Sequence, residues 1–249
     1  MRKGFTKTDL EEEFEKIGGR LEKRTEVFLL GGGAMCFRGQ KNATKDLDLV
    51  FKTAGDFKGF AVALARLGFT EPAKLEFAYE EMKASGIWQN KPGFRFDLFV
   101  KTVCGALSLS DDMVSRSELL GDYGNLIVRM VSNEDVLLFK GITERPADVT
   151  DMAEIIRLAN INWNVLLQEC RNQSKTRAWY GSLYNKMLEL EERGIAPPIT
   201  KTLEELDKKA TLRAAYQLRI TRGLNRASAV EELVKLGFTE KEIDEALRD

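Results

Sequence analysis

Apolar positions along the first 131 residues switch between two rhythms, one of about 3.6 residues and one of two. Leu10, Phe14, Ile17 and Leu21 share a helical face, and Thr8 with Glu11 has the spacing of an N-terminal capping box. "EVFLL" (Glu26 to Leu30) predicts a short buried strand, after which three glycines lead into a helix start at "GAMCF". Thr44 to Lys52 reads as a second strand, and "DFKGFAVALARLGF" as an amphipathic helix closed by Gly68. Two more strands are predicted around Phe77 to Trp88 and Gly93 to Lys101; in the latter Phe94, Phe96, Leu98 and Val100 alternate with other residues. "NLIVRMV" predicts the last strand.

After Ser132 only the helical rhythm remains. Helices are predicted at about 133–143, 146–159, 162–172, 176–193, 203–222, 228–236 and 240–248. Pro197-Pro198 marks a break, and Thr202/Glu205, Ser228/Glu231 and Thr239/Glu242 repeat the capping-box spacing. The pattern predicts an α+β domain over 1–131 followed by an all-helical domain over 132–249.

Composition narrows the chemistry. A 43% hydrophobic content argues against disorder, and no apolar run approaches the ~18 residues of a membrane helix. Two early basic residues precede no apolar core, so no secretory signal is read at the N-terminus. Cys36, Cys104 and Cys170 are odd in number and widely spaced, which points to reduced thiols and a cytoplasmic setting, each read as a small buried hydrophobe. The chain has no histidine. That excludes Ser-His-Asp and Cys-His catalysis and histidine metal ligands, leaving carboxylates, lysine and arginine. A net charge of −1 excludes a generally cationic, polyanion-binding protein.

Against that background "FLLGGGAMCFRGQKNATKDLDLVF" stands out. Asp46 and Asp48, two apart on a strand, face one way while Leu47 and Leu49 face the core. A solvated strand face is the ordinary explanation of such a pair. The preceding turn changes its meaning, because Gly31, Gly32 and Gly33 open a helix with backbone N–H groups that can receive phosphate oxygens. Glycine turn and carboxylates together suit a nucleoside triphosphate bridged by Mg²⁺. Asp97, in the apolar strand "FRFDLFV", is the candidate third acid, and three carboxylates can hold two metals in line for attack on an α-phosphate.

These residues resemble the nucleotidyltransferase superfamily with the polymerase-β-like fold. Its signature runs strand, Gly-Gly or Gly-Ser, Asp-x-Asp/Glu about a dozen residues on, and a third Asp on a later strand. Gly32-Gly33, Asp46-Leu47-Asp48 and Asp97 fall on it. A closer resemblance is to the toxin-type branch, AbiEii-like and MenT-like, which adds a lysine on the helix after the last strand and an Arg-x-Lys-Asp-x-x-Asp stretch opening the next. In "SNEDVLLFKGITERPADVTDMAEII" Lys140 takes the first place, and Arg145, Asp148 and Asp151 take three positions of the second motif. Gly33 stands where many members carry Ser or Thr, Ala147 where they carry the motif lysine, and Asn42 where an Arg often precedes Thr44.

The resemblance implies a polymerase-β-like domain with a short mixed sheet, its site completed by the first two helices of the helical domain. It implies catalytic Asp46, Asp48, Asp97 and Lys140, and the same three aspartates holding Mg²⁺ at a two-metal site. Nucleotide contacts would come from Gly31, Gly32, Gly33, Thr44, Lys140, Arg145 and Asp148. The expected reaction moves an NMP from an NTP to a hydroxyl acceptor, with RNA such as tRNA as one candidate and a toxin paired with an antitoxin protein as one setting. A degenerate nucleotide-, RNA- or protein-binding member, and an antibiotic-type small-molecule transferase, are the alternatives. Lys208, Arg219, Arg222 and Arg226 fall within one narrow sector of a predicted helix, a candidate RNA contact weighed against an ordinary solvated face.

Overall fold

The computed structural model of the chain describes residues 4–72, 84–143, 145–174 and 178–248. The chain divides into two compact units, Met1–Asn162 and Trp163–Asp249. The first is α+β and the second is helical. No helix among the described residues is long and apolar enough to cross a membrane.

Eight strands are described: β1 (Thr25–Leu30), β2 (Leu47–Phe51), β3 (Gly86–Gln89), β4 (Arg95–Val100), β5 (Thr102–Val103), β6 (Leu107–Ser108), β7 (Glu118–Tyr123) and β8 (Leu126–Met130). Six form one mixed sheet in the order β3-β4-β2-β1-β8-β7, while β5 and β6 make a separate ribbon. Parallel pairs β2–β4 and β1–β8 flank the antiparallel β1–β2 pair at the centre. The three central strands β1, β2 and β4 are buried along nearly their whole length, as strands covered on both faces are. Most of the strand expected from Phe77 lies outside the described residues; its end, β3, is described.

Six described helices belong to this unit: α1 (Lys7–Gly18), α2 (Gly31–Phe37), α3 (Ala54–Arg66), α4 (Asp111–Arg116), α5 (Asn133–Gly141) and α6 (Pro146–Leu158). Leu10, Phe14, Ile17 and Leu21 are all buried, as the periodicity predicts. The cap differs: Thr6 and Asp9, not Thr8 and Glu11, form the box, so α1 starts one residue before Thr8. Beyond α3, Gly68 takes a φ of +82°, where a side chain would be strained.

The second unit contains α7 (Trp163–Gln173), α8 (Tyr180–Glu192), α9 (Thr200–Thr221), α10 (Arg226–Lys235) and α11 (Glu240–Arg248). The start expected at residue 176 lies outside the described residues; Ala178 and Trp179 are not helical, and α8 begins at Tyr180. Leu212 of α9, Leu233 of α10, and Ile243 and Ala246 of α11 form one apolar core. Of the expected caps, Thr239/Glu242 forms: Glu242 accepts from the Thr239 backbone and hydroxyl at 2.9 and 2.8 Å. Helix α9 instead starts at Thr200 with no side-chain cap, and α10 is capped by Asn225, which accepts from Ser228 N at 2.9 Å. Three cations of the basic stripe reach acids on the last two helices: Lys208 to Glu242 at 2.5 Å, Arg219 to Glu232 at 2.9 Å, and Arg226 to Asp244 at 3.4 Å.

One polar anchor decides where the cleft's buried lysine stands. Asp135 in the first turn of α5 is fully buried, closes a capping box with Ser132, and accepts a two-pronged contact from Arg116 at the end of α4. It fixes where α5 begins, and so where Lys140 ends up. Asp135→Ala is expected to cost about 3 kcal/mol, since it strips a cap and takes a buried carboxylate from a half-buried guanidinium. A lowered urea midpoint at unchanged slope would register the loss.

Candidate active site

The centre of the site follows from strand register. Parallel pairing of β2 with β4 sets Asp48 directly opposite Asp97, and antiparallel pairing of β1 with β2 sets Asp48 opposite Leu30, the residue before the glycines. Asp46 lies just ahead of β2, and Thr44 is bridged to Phe5 by backbone hydrogen bonds of 2.7 and 3.0 Å. The glycines form the first turn of α2 itself. Gly31 has a φ of +61°, and a Cβ there would lie 2.3 Å from Asp48 Oδ2. Only glycine lets the backbone approach that carboxylate so closely. At Gly32 a Cβ would meet Thr44 Oγ1 at 2.6 Å, and at Gly33 it would meet Leu47 and Leu29 at 2.5 and 2.7 Å.

An open cleft of about 190 Å³ lies over this centre. Gly31, Gly32, Thr44, Asp46 and Asp48 form one wall, and Lys140, Arg145, Asp148 and Asp151 form the other. Phe99, Val103, Phe139 and Ile142 give it an apolar part. Gly33 and Asp97 do not line it: Gly33 packs on the sheet, and Asp97 is 1% exposed behind Asp48.

Asp97 has a partner that the period-two rule made available. Arg95, two residues earlier on the same face of β4, donates from Nε to Asp97 Oδ1 at 2.6 Å, and both side chains are buried. Burial pushes the Asp97 carboxyl up to about 6, with Arg95 working against the rise. The Asp48 side chain makes no hydrogen bond or ion pair among the described residues. Burial first, then the Asp97 and Asp46 charges, push it up to about 8, while Arg145 and Lys140 oppose the rise.

The far wall carries the positive charge. Lys140 Nζ donates to Asp148 Oδ1 at 2.9 Å and to Asp151 Oδ2 at 2.7 Å, and Thr143 donates to the other oxygen of Asp148. Burial pulls the Lys140 ammonium down, but the two aspartates outweigh it and its pKa is raised. Lys41, which lies outside the motif pattern, donates to both oxygens of Asp151 at 3.0 and 2.9 Å. Asp151 is lowered accordingly: burial works upward, and Lys140 and Lys41 overcome it. Cys104 also lines the cleft; burial, and next the Asp48 charge, push its thiol up to about 11, which excludes a thiolate nucleophile.

The family model described as "Nucleotidyltransferase of unknown function (DUF6036)" matches residues 7–190, spanning the whole sheet, the glycine turn and both cleft walls. The chain belongs to this family. No curated protein sequence matches it. Nucleotidyltransferases of the wider superfamily work on NTPs with Mg²⁺, and the donor set can be tested against that ion. Among the described residues no three acidic or thiol groups gather into a ready-made metal cluster. Mg²⁺ is commonly bound by one or two carboxylates plus substrate phosphates and water, without an all-protein cage. Asp46 and Asp48 offer hard oxygens at the cleft wall, and Asp48 is a half-buried carboxylate with no cationic partner in contact.

The same crowding has a pH signature. An unfolded Asp titrates near ~4, whereas folded Asp48 reaches about 8. The folded state therefore holds the proton more tightly, and metal-free stability falls as pH rises between those values. Asp48→Asn is expected to flatten that decline. Thermal melts of both proteins without divalent cations, from about pH 5 to about pH 8, measure it; parallel curves would exclude the assigned strain.

Proposed function

We propose that this nucleotidyltransferase moves an NMP from an NTP to a hydroxyl-bearing acceptor. The observation that carries the reading is the charge-crowded Asp48 carboxylate, which has no hydrogen-bond or ion-pair partner among the described residues, lies against a glycine turn and shares its cleft with Lys140 and Arg145. Asp46 and Asp48 would hold Mg²⁺, with Asp97 as the third carboxylate once Arg95 gives up its bond. When bound, the ion would supply neutralisation of the negative charge that develops during transfer.

The protein's own residues do the rest. Backbone N–H groups of Gly31 and Gly32 would receive phosphate oxygens, joined by the Thr44 hydroxyl if it turns from the Asp46 carbonyl to which it donates at 3.0 Å, and Lys140 and Arg145 would face the triphosphate's negative charge. Asp148 holds Lys140 in place. The acceptor oxygen bonds to the α-phosphorus, the bond to the bridging α–β oxygen breaks, and pyrophosphate leaves. The acceptor's proton passes to a carboxylate of the Asp46/Asp48/Asp97 group. The apolar wall of Phe99, Val103 and Phe139 suits the base or sugar face of the nucleotide.

RNA as acceptor draws on the basic stripe, where Arg222 is exposed and its three neighbours already pair with acids of α10 and α11. Labelled NTPs offered with Mg²⁺ and total RNA, cell protein or small hydroxylated metabolites identify the acceptor class. A toxin role predicts that RNA or protein carries the label and that expression arrests growth.

Mg²⁺ with the preferred NTP is expected to raise the melting temperature by mass action, and pyrophosphate release should depend on both. An Asp46→Asn/Asp48→Asn variant should remain folded yet lose transfer by more than about a hundredfold, together with the Mg²⁺-dependent stabilisation. Nucleotide stabilisation without pyrophosphate release from any acceptor would favour the binding-only reading. Transfer at the parent's rate in the double variant would sink the assignment.

A further inference from the structure

Lys41 comes after α2 and precedes the Thr44–Asp48 stretch, and no motif position of the family pattern falls on it. Its side chain, 35% exposed, lies at the cleft mouth, whereas that of Lys140 is 9% exposed. Both ammonium groups bond the same oxygen, Asp151 Oδ2, at 2.9 and 2.7 Å. The two nitrogens are thus no farther apart than two hydrogen bonds laid end to end. Lys41 also reaches over the glycine turn: its Nζ lies 4.0 Å from where a Gly32 Cβ would be.

We propose that Lys41 is a second phosphate-binding lysine, which with Lys140 forms a two-ammonium seat for the β- and γ-phosphates of the NTP and for the departing pyrophosphate. The proposal rests on the nucleotidyl-transfer reading and adds a residue and a direction to it. Each ammonium has three N–H donors and spends two on aspartate oxygens, so each keeps one for a ligand. A carboxylate held between two ammonium groups is a local stand-in for a phosphate edge, since both present paired oxygens to N–H donors. Asp151 keeps the two cations together before substrate arrives. As a partly exposed ion pair, Lys41–Asp151 adds little to stability, so its loss should leave the fold standing.

The seat also orients the substrate. With the Asp46/Asp48 carboxylates on the opposite wall, the phosphate tail lies toward the lysines and the α-phosphorus toward the aspartates. The α-phosphate itself is then out of Lys41's reach, which gives the test its contrast.

Wild type, Lys41→Gln, Lys41→Arg and Asp151→Asn are compared by calorimetric titration with the preferred NTP plus Mg²⁺, with tripolyphosphate, and with the matching NMP. Lys41→Gln is expected to raise the Kd for NTP and tripolyphosphate by about tenfold or more, the loss of one charge-assisted hydrogen bond. Its NMP affinity and ligand-free melting temperature should stay at the parent's values, and Lys41→Arg should recover most of the lost affinity. Asp151→Asn keeps both ammonium groups and should bind tripolyphosphate no more weakly than wild type. Equal NTP and tripolyphosphate affinity in wild type and Lys41→Gln overturns the proposal and leaves the transfer reading standing. An equal loss of NMP affinity overturns it as well. A wild-type protein that binds no NTP removes the transfer reading, and this inference with it.

Discussion

Two carboxylates on neighbouring strands, Asp48 and Asp97, are brought opposite each other by the β2–β4 register, and the rest of the site answers that repulsion. Strand pairing is fixed by the apolar residues on the other face, Leu47, Leu49, Phe96 and Leu98, all of them fully buried. A one-residue slip would put that set into the cleft and the aspartates into the core. The core therefore holds the charges together and bears the cost of doing so. Arg95 answers for Asp97 from the same strand. The Asp48 carboxylate has no such partner among the described residues.

Everything around the pair is placed by structure that is itself tightly fixed. Gly31 lets the chain turn against Asp48, and Gly33 lets α2 settle on Leu29 and Leu47. On the other side, Asp135 fixes the first turn of α5 through Ser132 and Arg116, and Lys140 is thereby set on the last turn of the same helix. Pro146 then starts α6 with its first turn aimed at Lys140, so that Asp148 and Asp151 meet the ammonium one turn apart. A charged cleft of this kind needs a rigid frame, because each ion pair alone is too weak to set its own geometry.

Much of this arrangement is legible in the sequence, and the parts that are not share a physical cause. Buried strands and amphipathic helices announce themselves through periodicity, so β1, β2, β4, β8 and the later helices fall within a few residues of expectation. The edge strand β7 escapes such a reading because "ELLGDY" is half-exposed and shows no alternation. Caps depart from expectation at α1, α9 and α10 because Ser, Thr, Asp and Glu at capping spacing recur by chance near a helix start, and packing selects among them. The Arg95–Asp97 pair is readable from strand period alone. Lys41 is not, since its meaning comes from Asp151, 110 residues later. The basic stripe is divided by the structure, Lys208 and Arg219 standing on α9, Arg222 at its C-cap and Arg226 at the start of α10, and three of its charges are answered by acids that a one-helix projection does not include.

The charges of the cleft also divide in a way that matches a particular ligand. Lys41 and Lys140 face Asp148 and Asp151, a balanced group that keeps unused N–H donors. Across from it, Asp46 and Asp48 bring two carboxylates beside the glycine turn, and Asp97 behind them is already matched by Arg95. One end of the cleft thus has an excess of carboxylate oxygen and the other a surplus of N–H donors. A free anion would meet repulsion from the aspartates, and a free divalent cation would find too few ligands for a closed shell. On the proposed function, a triphosphate carrying Mg²⁺ would present both signs at once, its phosphates supplying oxygens that two aspartates leave wanting on the metal. Binding of either component without the other would leave one end of the cleft unanswered, so that reading expects the two to bind together.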